Sequence, residues 1–307
     1  IALDAYGEDE IAGKIDTADA IMLYHNLSLT EKTISRLSQC KLIVRCGVGY
    51  DNVDREAAGR RGIPVANVPD YGTEEVADSA MAMALSLARG VHPVNSTLRE
   101  RIGPYSYTQV APLQRLRGKV FGIIGLGRIG TATAIRANAF GMDVAFYDPL
   151  KQDGYDKAIG CRRVDQLREL LEQSHVVSVH CPLTEQTRQM INRESLSWMP
   201  PGSFLVNTAR GDVVDTSVLP ELLASGQLAG AGIDVLAEEP PSDDNPLVAA
   251  WRDPEHIAHH RLILNPHSAF YSEQGLLDMR VKGATACRHA ISGQPIRNIV
   301  NAQWLPA

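Results

Sequence analysis

The sequence lacks the features of a membrane protein, of a secreted protein and of a nucleic-acid-binding protein. No apolar run among its 307 residues reaches the length that a membrane-spanning helix needs. No secretory signal pattern stands at the start, and the chain opens at Ile1 rather than Met, so we expect that a little of the natural N-terminus is absent. The formal net charge of −6 is mild and no long basic run occurs, which argues against direct nucleic-acid binding.

Cysteine is scarce, and the five positions that it occupies fit neither a disulfide framework nor a zinc site. Their number is odd, and their spacing lacks the pattern of either type of site. We therefore expect reduced, mostly buried thiols in a cytoplasmic protein. The sequence also has no internal repeat, and its length is too great for one typical core, so we expect two domains. The cysteines are Cys40, Cys46, Cys161, Cys181 and Cys287.

What the sequence does contain is an apolar run, residues 119–130 (KVFGIIGLGRIG), that ends in the spacing G-x-G-x-x-G. Gly125 would make the tight turn out of a strand, Gly127 would let the backbone approach a pyrophosphate, and Gly130 would let the following helix pack closely. The helix N-terminus would then present N–H groups to the phosphates. The stretch therefore predicts a dinucleotide-binding turn rather than a merely structural one.

A second predicted strand, residues 143–148, identifies the cofactor more closely. It ends at Asp148, at the distance from the glycines that is expected for a contact with the ribose hydroxyls. A carboxylate there would repel the 2′-phosphate of NADP, so Asp148 favours NAD. Lys151 lies close by in the sequence and keeps NADP as the minority alternative.

Apolar runs alternate with helix-like segments along the chain, which predicts parallel sheets with helices on their faces. The predicted strands are residues 1–4, 20–24, 41–46, 64–68, 120–125, 143–148, 176–180, 203–207, 231–235 and 262–265. The predicted helices are residues 8–15, 30–37, 54–61, 73–89, 131–139, 164–173, 193–198, 216–224 and 272–291. Thr30 and Asp54 are the expected N-caps of two of them.

This pattern predicts an α/β fold of two Rossmann- or flavodoxin-like, doubly wound parallel-sheet domains, with the active site in the cleft between them. Residues 1–72 and 271–307 would form a discontinuous substrate domain, and residues 73–270 would form the NAD-binding Rossmann domain. Residues 92–117 lose clear periodicity and contain the pairs His92-Pro93 and Gly103-Pro104, so we expect an extended connection there.

The predicted helix at residues 74–89 is apolar nearly all round, so it must be buried on most sides. We expect one of its faces to pack on its own domain and another on a second subunit, which would make the protein a homodimer. A monomer with this helix between its domains is the alternative.

Ligands of an open parallel sheet bind outside the carboxyl ends of its strands. The charged residues that follow predicted strands here are Arg210, Glu238 or Glu239, and His267. A cation can bind a carboxylate and polarise a carbonyl, and an imidazole can carry the proton of an alcohol oxygen. These are the functional groups that the reduction of a carbonyl acid requires.

Taken together, the motifs resemble the D-2-hydroxyacid dehydrogenase family over nearly the whole chain. The shared stretches are GVGYDN at 47–52, the glycine turn, PLT at 182–184, NTARG at 207–211, DV at 234–235 followed by EP at 239–240, and PH at 266–267. The chain is most similar to the C-terminal-binding-protein branch of this family, through RCGVGYDN at 45–52, EEVAD at 74–78 and YSEQ at 271–274.

The resemblance implies a role for each charged residue at the strand ends. His267 would be the general acid in reduction and the general base in oxidation, and Glu239, the acid directly before proline, would stabilise its charged form. Arg210 would pair with the substrate carboxylate and polarise the reacting carbonyl. The backbone N–H groups of Val48 and Gly49 would hold the same carboxylate.

The resemblance also implies a set of cofactor neighbours, among which Asp234 would reach the nicotinamide carboxamide. The set is Thr73, Gly125, Leu126, Gly127, Arg128, Ile129, Gly130, Asp148, Cys181, Pro182, Thr187, Thr208, Ala209, Arg210, Asp234, His267 and Phe270. Phe270 stands where the C-terminal-binding branch typically has Trp, so substrate specificity does not transfer from that branch.

The span from Glu239 to His267 is longer than is usual in the family. It contains Glu255 with His256, His259 and His260, a group that superficially suggests a metal site. A solvated loop or helix explains the group without a ligand role, and we expect no metal.

The function implied is hydride transfer between NAD(H) and a small D-2-hydroxy acid or 2-oxo acid, such as glyoxylate, hydroxypyruvate or pyruvate. The expected partners are this small acid and a second copy of the chain, with no membrane. An NAD-sensing, transcriptional corepressor-like interaction protein is the alternative from another class. Phosphoglycerate and phosphite dehydrogenases are alternatives within the enzyme class, whereas formate dehydrogenases carry Gln where Glu239 stands.

Overall fold

The chain divides by its internal contacts into two units in the computed structural model, which describes residues 1–306. One unit comprises Ile1–Gly72 and Tyr271–Ala307, and the other comprises Thr73–Phe270. Each unit contains one parallel sheet, which confirms the predicted α/β class. Within residues 1–306, no helix has the length and apolar character that would let it cross a membrane.

The sheet of the first unit has three parallel strands in the order β1-β2-β3. These strands are β1 (Ile21–Leu23), β2 (Ile43–Arg45) and β3 (Val65–Asn67), and the helices of this unit are α1 (Glu8–Ile11), α2 (Glu31–Ile34), α3 (Arg55–Arg60) and α13 (Glu273–Ile291). The side chain of Thr30 accepts a hydrogen bond at the start of α2, and that of Asp54 does so at the start of α3, which confirms both predicted caps.

The predicted strand at residues 1–4 is wrong. These residues form no secondary structure, and the apolar side chains of Ile1 and Leu3 are exposed. A short apolar run becomes a strand only where a neighbouring strand pairs with it and a core covers one of its faces, and here β1 is the edge of the sheet.

The long helix α13 packs against this small sheet. A Cβ atom added to Gly283 would lie 2.9 Å from both the Sγ atom of Cys46 and the Cε atom of Met22. The absence of a side chain at Gly283 therefore lets α13 approach the strands closely.

The sheet of the second unit has seven parallel strands in the order β10-β9-β8-β7-β4-β5-β6. They are β4 (Val120–Ile124), β5 (Asp143–Tyr147), β6 (Arg162–Arg163), β7 (Ser174–Val179), β8 (Ser203–Asn207), β9 (Leu228–Ile233) and β10 (Leu262–Leu264). Read from β6 to β9, this is the Rossmann order, with β10 added at the far edge. The edge strand β6 is absent from the sequence-based prediction because it consists of only two residues, both arginine.

The helices of the second unit cover the sheet and extend beyond it. They are α4 (Thr73–Ala88), α5 (Val91–Glu100), α6 (Arg128–Ala139), α7 (Tyr155–Ile159), α8 (Leu167–Gln173), α9 (Arg193–Ser197), α10 (Leu219–Ala224), α11 (Pro246–Arg252) and α12 (Ala258–Arg261). One apolar cluster contains α4 residues such as Met83 with Phe121 and Phe204, and a second cluster contains Ile124, Leu170 and Leu205. The strands are therefore buried on both faces, as parallel strands usually are.

The extended connection predicted at residues 92–117 is wrong in part. Helix α5 occupies its first half, and a short 3-10 helix, Tyr107–Val110, follows. Pro93 is compatible with this helix because it lies in the first turn of α5, where a proline removes no intrahelical hydrogen bond.

Candidate active site

The glycine turn lies between β4 and α6, at the carboxyl edge of the seven-stranded sheet. Gly125 has a φ of +89°, and a Cβ atom there would lie 2.7 Å from the backbone nitrogen of Cys181. A Cβ atom on Gly130 would overlap the carbonyl oxygen of Gly125. Both positions therefore require glycine, the first for its backbone conformation and the second for the packing of the helix on the turn.

The middle glycine of the motif, Gly127, differs from these two. Gly127 is exposed and is the N-cap residue of α6, and a Cβ atom added to it would meet no described atom within 4 Å. Because Gly127 has no side chain, the space in front of the helix N-terminus is open. The first turn of α6, which includes Arg128 and Ile129, directs its unpaired N–H groups toward this space. A negatively charged phosphate group fits this space, and the helix dipole favours it.

Asp148 is the predicted ribose contact, and it lies directly beside the glycine turn. One carboxylate oxygen accepts the N–H of Leu126 at 2.8 Å, and the other accepts the N–H of Leu150 at 3.0 Å. The ammonium group of Lys151 lies 4.5 Å from the centre of the Tyr155 ring. The carboxylate is thus fixed at the turn while the nearest predicted cation packs against an aromatic ring, an arrangement that fits NAD better than NADP.

The two residues directly after β7, His180 and Cys181, are electrically neutral. Burial raises the pKa of the Cys181 thiol to about 12. His180 keeps part of its surface accessible, yet burial of its imidazole lowers the pKa to about 3, and its Nε2 atom lies 2.9 Å from the Oγ atom of Ser178. The hydroxyl of Thr187 donates to the carbonyl oxygen of Pro182 at 2.7 Å and closes the loop.

The loop after β8 carries Arg210, and a buried asparagine holds it in place. The amide of Asn207 accepts the N–H of Ala209 at 3.0 Å and donates to the carbonyl oxygen of Arg210 at 2.9 Å. The hydroxyl oxygen of Thr208 is buried and has no hydrogen-bond partner among residues 1–306. A buried polar atom of this kind is rare in native proteins, and a bound cofactor can satisfy it.

The Arg210 loop packs directly on the loop that carries Glu239. A Cβ atom on Gly211 would overlap the backbone of Leu236 and Ala237. The N–H of Leu236 donates to the Oε1 atom of Glu239 at 2.9 Å and orients the carboxylate. This contact could not be predicted from the sequence, because Gly211 and Leu236 belong to different strand ends.

His267 follows β10, and its imidazole pairs with Glu239. The Nδ1 atom lies 2.6 Å from the Oε2 atom of the carboxylate. Burial raises the pKa of Glu239, but the hydrogen bond and charge of His267 outweigh it, with help from the Leu236 N–H and the charge of Arg210, and hold that pKa below its ordinary range. The carboxylate is therefore ionised at neutral pH and accepts the Nδ1 proton.

Asp234 holds the turn that contains His267. His267 has a left-handed backbone φ of +51°, and its N–H donates to the carbonyl oxygen of Asp234 at 2.7 Å. The buried carboxylate of Asp234 accepts the N–H of Ser268 at 2.9 Å and that of Ala269 at 3.1 Å. Burial raises the pKa of this carboxyl, and the two N–H bonds oppose the rise. This positioning role was missed from the sequence; the contact with a nicotinamide carboxamide stays a prediction.

The remaining predicted residues lie at three places. The Phe270 ring meets the His267 ring edge to face, with centroids 6.2 Å apart, and Thr73 is the first residue of α4. Val48 and Gly49 belong to the other unit, in the turn after β2, where the amide of Asn67 donates to the carbonyl oxygen of Val48 at 2.7 Å. A role of Val48 and Gly49 in substrate binding stays a prediction.

Comparison with known proteins identifies a matching family and several similar relatives. The family model described as "D-isomer specific 2-hydroxyacid dehydrogenase, NAD binding domain" matches residues 81–269. The chain is 35% identical over 298 residues to C-terminal-binding protein 1 of Caenorhabditis elegans, a match that covers 95% of this chain and 40% of that protein. It is 33% identical over 299 residues to D-3-phosphoglycerate dehydrogenase of Methanocaldococcus jannaschii, which covers 97% of this chain and 55% of that protein. The chain thus spans about half the length of these curated relatives.

The likeness extends to solved structures. D-lactate dehydrogenase from Aquifex aeolicus, complexed with NAD and lactic acid, is 30% identical to this chain and superposes with a TM-score of 0.86. The match covers 98% of this chain and 91% of that one, so it includes residues of both units.

Proposed function

The chain belongs to the D-isomer specific 2-hydroxyacid dehydrogenase family, and from this premise we propose that it is an NAD-dependent oxidoreductase. Its substrate would be a small D-2-hydroxy acid or the corresponding 2-oxo acid, of the glyoxylate, hydroxypyruvate or pyruvate class. The observation that carries the proposal is the hydrogen-bonded pair of His267 and Glu239, 2.6 Å apart and within the electrostatic influence of Arg210. The pair belongs to the same unit as the glycine turn.

The cofactor of this family is NAD, and three features of the Thr73–Phe270 unit fit it. The open helix N-terminus at Gly127 would hold the pyrophosphate, Asp148 would accept hydrogen bonds from the ribose, and the hydroxyl of Thr208 would gain the partner that it lacks among residues 1–306. When bound, the nicotinamide supplies or accepts the hydride.

His267 would hold and move the proton that accompanies the hydride. In reduction, Nε2 would deliver a proton to the carbonyl oxygen as it becomes a hydroxyl; in oxidation, Nε2 would take that proton back. The ionised Glu239 would stabilise the imidazolium that exists before delivery or after removal. Since the Nδ1 atom faces Glu239, the ring orientation is fixed without the substrate.

Arg210 would define the substrate class. Its planar guanidinium can bind a carboxylate with two parallel hydrogen bonds and can place positive charge beside an adjacent carbonyl oxygen. That oxygen gains negative charge as the carbonyl is reduced, so a fixed cation there lowers the barrier. A carboxylate next to a carbonyl is the defining group of a 2-oxo acid.

The test is the oxidation of NADH and NADPH by a panel of 2-oxo acids, measured with the full chain. We expect turnover of at least one of glyoxylate, hydroxypyruvate and pyruvate, with a higher kcat/KM for NADH than for NADPH. 3-Phosphohydroxypyruvate and, in the reverse direction, phosphite would cover the two alternatives within the enzyme class. The similarity to D-3-phosphoglycerate dehydrogenase supports the inclusion of the phosphorylated acid.

A second candidate is an NAD(H)-sensing interaction protein that resembles a transcriptional corepressor. The 35% identity to C-terminal-binding protein 1 favours it. This candidate predicts NADH binding without turnover of any acid in the panel. Turnover of a 2-oxo acid at an ordinary enzyme rate, of order 1 s⁻¹ or more, would favour the metabolic enzyme instead.

A further inference from the structure

Three side chains with metal-binding atoms meet where α5 packs on α12, away from the residues assigned to catalysis. Glu100 ends α5, and His259 and His260 lie on α12. The Nε2 atom of His259 lies 2.7 Å from one carboxylate oxygen of Glu100, and the Nε2 atom of His260 lies 3.8 Å from the other. One ligand atom from each residue falls within 4.8 Å of the other two. The group is therefore small enough to surround one ion.

The second ring nitrogen of each histidine is held by a neighbour. The Nδ1 atom of His259 lies 2.9 Å from the carbonyl oxygen of Trp251, and that of His260 lies 3.0 Å from the hydroxyl of Ser96. A carbonyl oxygen only accepts hydrogen bonds, so Nδ1 of His259 carries a proton. Metal-binding histidines are oriented in this way, with one nitrogen on a carbonyl or another polar partner and the other on the metal.

The contact between His259 and Glu100 requires a proton or a metal ion between the two atoms. In neutral His259 the proton is on Nδ1, so Nε2 directs a lone pair at a carboxylate oxygen only 2.7 Å away. Two lone pairs at this distance repel each other. A second proton on the ring or a cation bound by both atoms removes the repulsion, and the nearby Nε2 of His260 favours a shared cation.

A third imidazole, that of His92, adjoins the group. Its Nε2 atom is buried and has no hydrogen-bond partner among the described residues, while the ring bonds to the backbone of Leu262. Burial lowers the pKa of His92, and the charges of His260 and His259 lower it further. His92 therefore adds a further imidazole near the histidine pair.

We propose that Glu100, His259 and His260 bind one divalent transition-metal ion, with Zn²⁺ the best fit, and that this ion joins α5 to α12. Two imidazoles and one carboxylate form a known zinc ligand set, which leaves a fourth position for water. Mg²⁺ and Ca²⁺ prefer sites built from oxygen atoms alone, so the imidazoles disfavour them.

The proposal departs from the expectation drawn from the sequence. In the sequence, the acid next to the histidines is Glu255, and His256 is one of the group. The Nδ1 atom of His256 instead accepts the N–H of Ala258 at 3.0 Å, at the start of α12. The acid that faces the pair is Glu100, far away in the sequence.

Calorimetric titration of the chelator-treated full chain with Zn²⁺ tests the site. We expect one Zn²⁺ per chain, with the affinity reduced more than about 100-fold in Glu100→Gln and in His259→Gln, because each loses a direct ligand. Ser96→Ala removes only the support of His260, and a loss of about 10-fold is expected. The matched control is His256→Asn, which keeps an acceptor for the Ala258 N–H and should bind Zn²⁺ like the wild type.

Two results would overturn the proposal. One is a wild-type chain that binds no Zn²⁺, and the other is equal Zn²⁺ binding by the wild type, Glu100→Gln and His259→Gln. The Glu100 side chain is 42% exposed, so Glu100→Gln preserves the fold, and circular dichroism checks this. Absorption spectra of bound Co²⁺ give a second measurement, since a site of nitrogen and oxygen ligands lacks the thiolate bands that the cysteines would produce.

Discussion

At the scale of single residues, two carboxylates position His267: one holds its backbone and the other orients its ring. Asp234 is buried and accepts backbone N–H groups of the turn, so it fixes the left-handed conformation of His267. Glu239 pairs with the Nδ1 atom of the imidazole and orients the ring. Only the second task follows from the motif in the sequence, because a hydrogen bond to the backbone depends on loop geometry that residue identities do not encode.

The ionisation of Glu239 predicts a pH-dependent contribution to stability. Because its pKa in the folded protein lies below the ordinary value of 4.5, the ionised carboxylate stabilises the folded state above that pH. The contribution is lost as the pH falls through the lowered value. We expect the difference in the free energy of unfolding between the wild type and Glu239→Gln to shrink as the pH falls from above 4.5 through the lowered pKa.

Urea denaturation over this pH range measures the difference. Glu238→Gln, one residue away and outside the pair, is the matched control. A gap between the wild type and Glu239→Gln that stays constant with pH would show that the carboxylate charge does not contribute in this way.

At the scale of elements, most strands of the seven-stranded sheet can be predicted from the sequence, because buried parallel strands are continuous apolar runs. The prediction fails where this signal is missing. Strand β6 consists of two arginines, and the first turn of α5 contains Pro93, which is tolerated there because a first-turn proline removes no intrahelical hydrogen bond. The sequence also predicts a strand at residues 1–4, where the apolar side chains of Ile1 and Leu3 are exposed.

The glycine turn makes a paired prediction about ligand binding and stability. A methyl group at Gly127 meets no described atom, so Gly127→Ala should change the free energy of unfolding by less than about 1 kcal/mol while weakening NADH binding. A methyl group at Gly130 overlaps the carbonyl oxygen of Gly125, so Gly130→Ala should destabilise the fold by about 1–3 kcal/mol.

Urea denaturation and NADH fluorescence titration separate the two effects. The account of the turn fails if Gly127→Ala binds NADH as tightly as the wild type. It also fails if Gly130→Ala proves as stable as the wild type.

At the scale of the whole molecule, the homodimer predicted from the helix at residues 74–89 stays a prediction. Within the Thr73–Phe270 unit, α4 covers one side of the sheet, and a Cβ atom on Gly232 would lie 2.9 Å from Met83. Ala82 lies on an exposed position of the same helix. If that position meets a second copy of the chain, Ala82→Arg should abolish dimerisation, because it places a large charge in the interface.

Light scattering coupled to size exclusion measures the assembly. We expect twice the mass of one chain for the wild type and the mass of one chain for Ala82→Arg. Ala284→Arg, on an exposed position of α13 in the other unit, is the matched control and should remain a dimer. A monomeric wild type would contradict the prediction.

The proximity of the catalytic candidates can be predicted from the sequence, whereas that of the metal candidates cannot. Arg210, Glu239 and His267 all follow strands of one parallel sheet, and the topology alone places such residues at one edge. Glu100 and His259 lie on helices outside the sheet, so no rule of sheet topology relates them. Their proximity depends on how α5 packs on α12, which the hydrophobic pattern does not specify.

If His267 transfers the proton during NAD-dependent turnover of a 2-oxo acid, His267→Gln should lose that turnover. We expect this variant to bind NADH like the wild type but to lose about 10²–10⁴-fold in kcat with the best acid of the panel. Near-normal turnover by His267→Gln, or a wild type that binds NADH and reduces none of the acids, would contradict it.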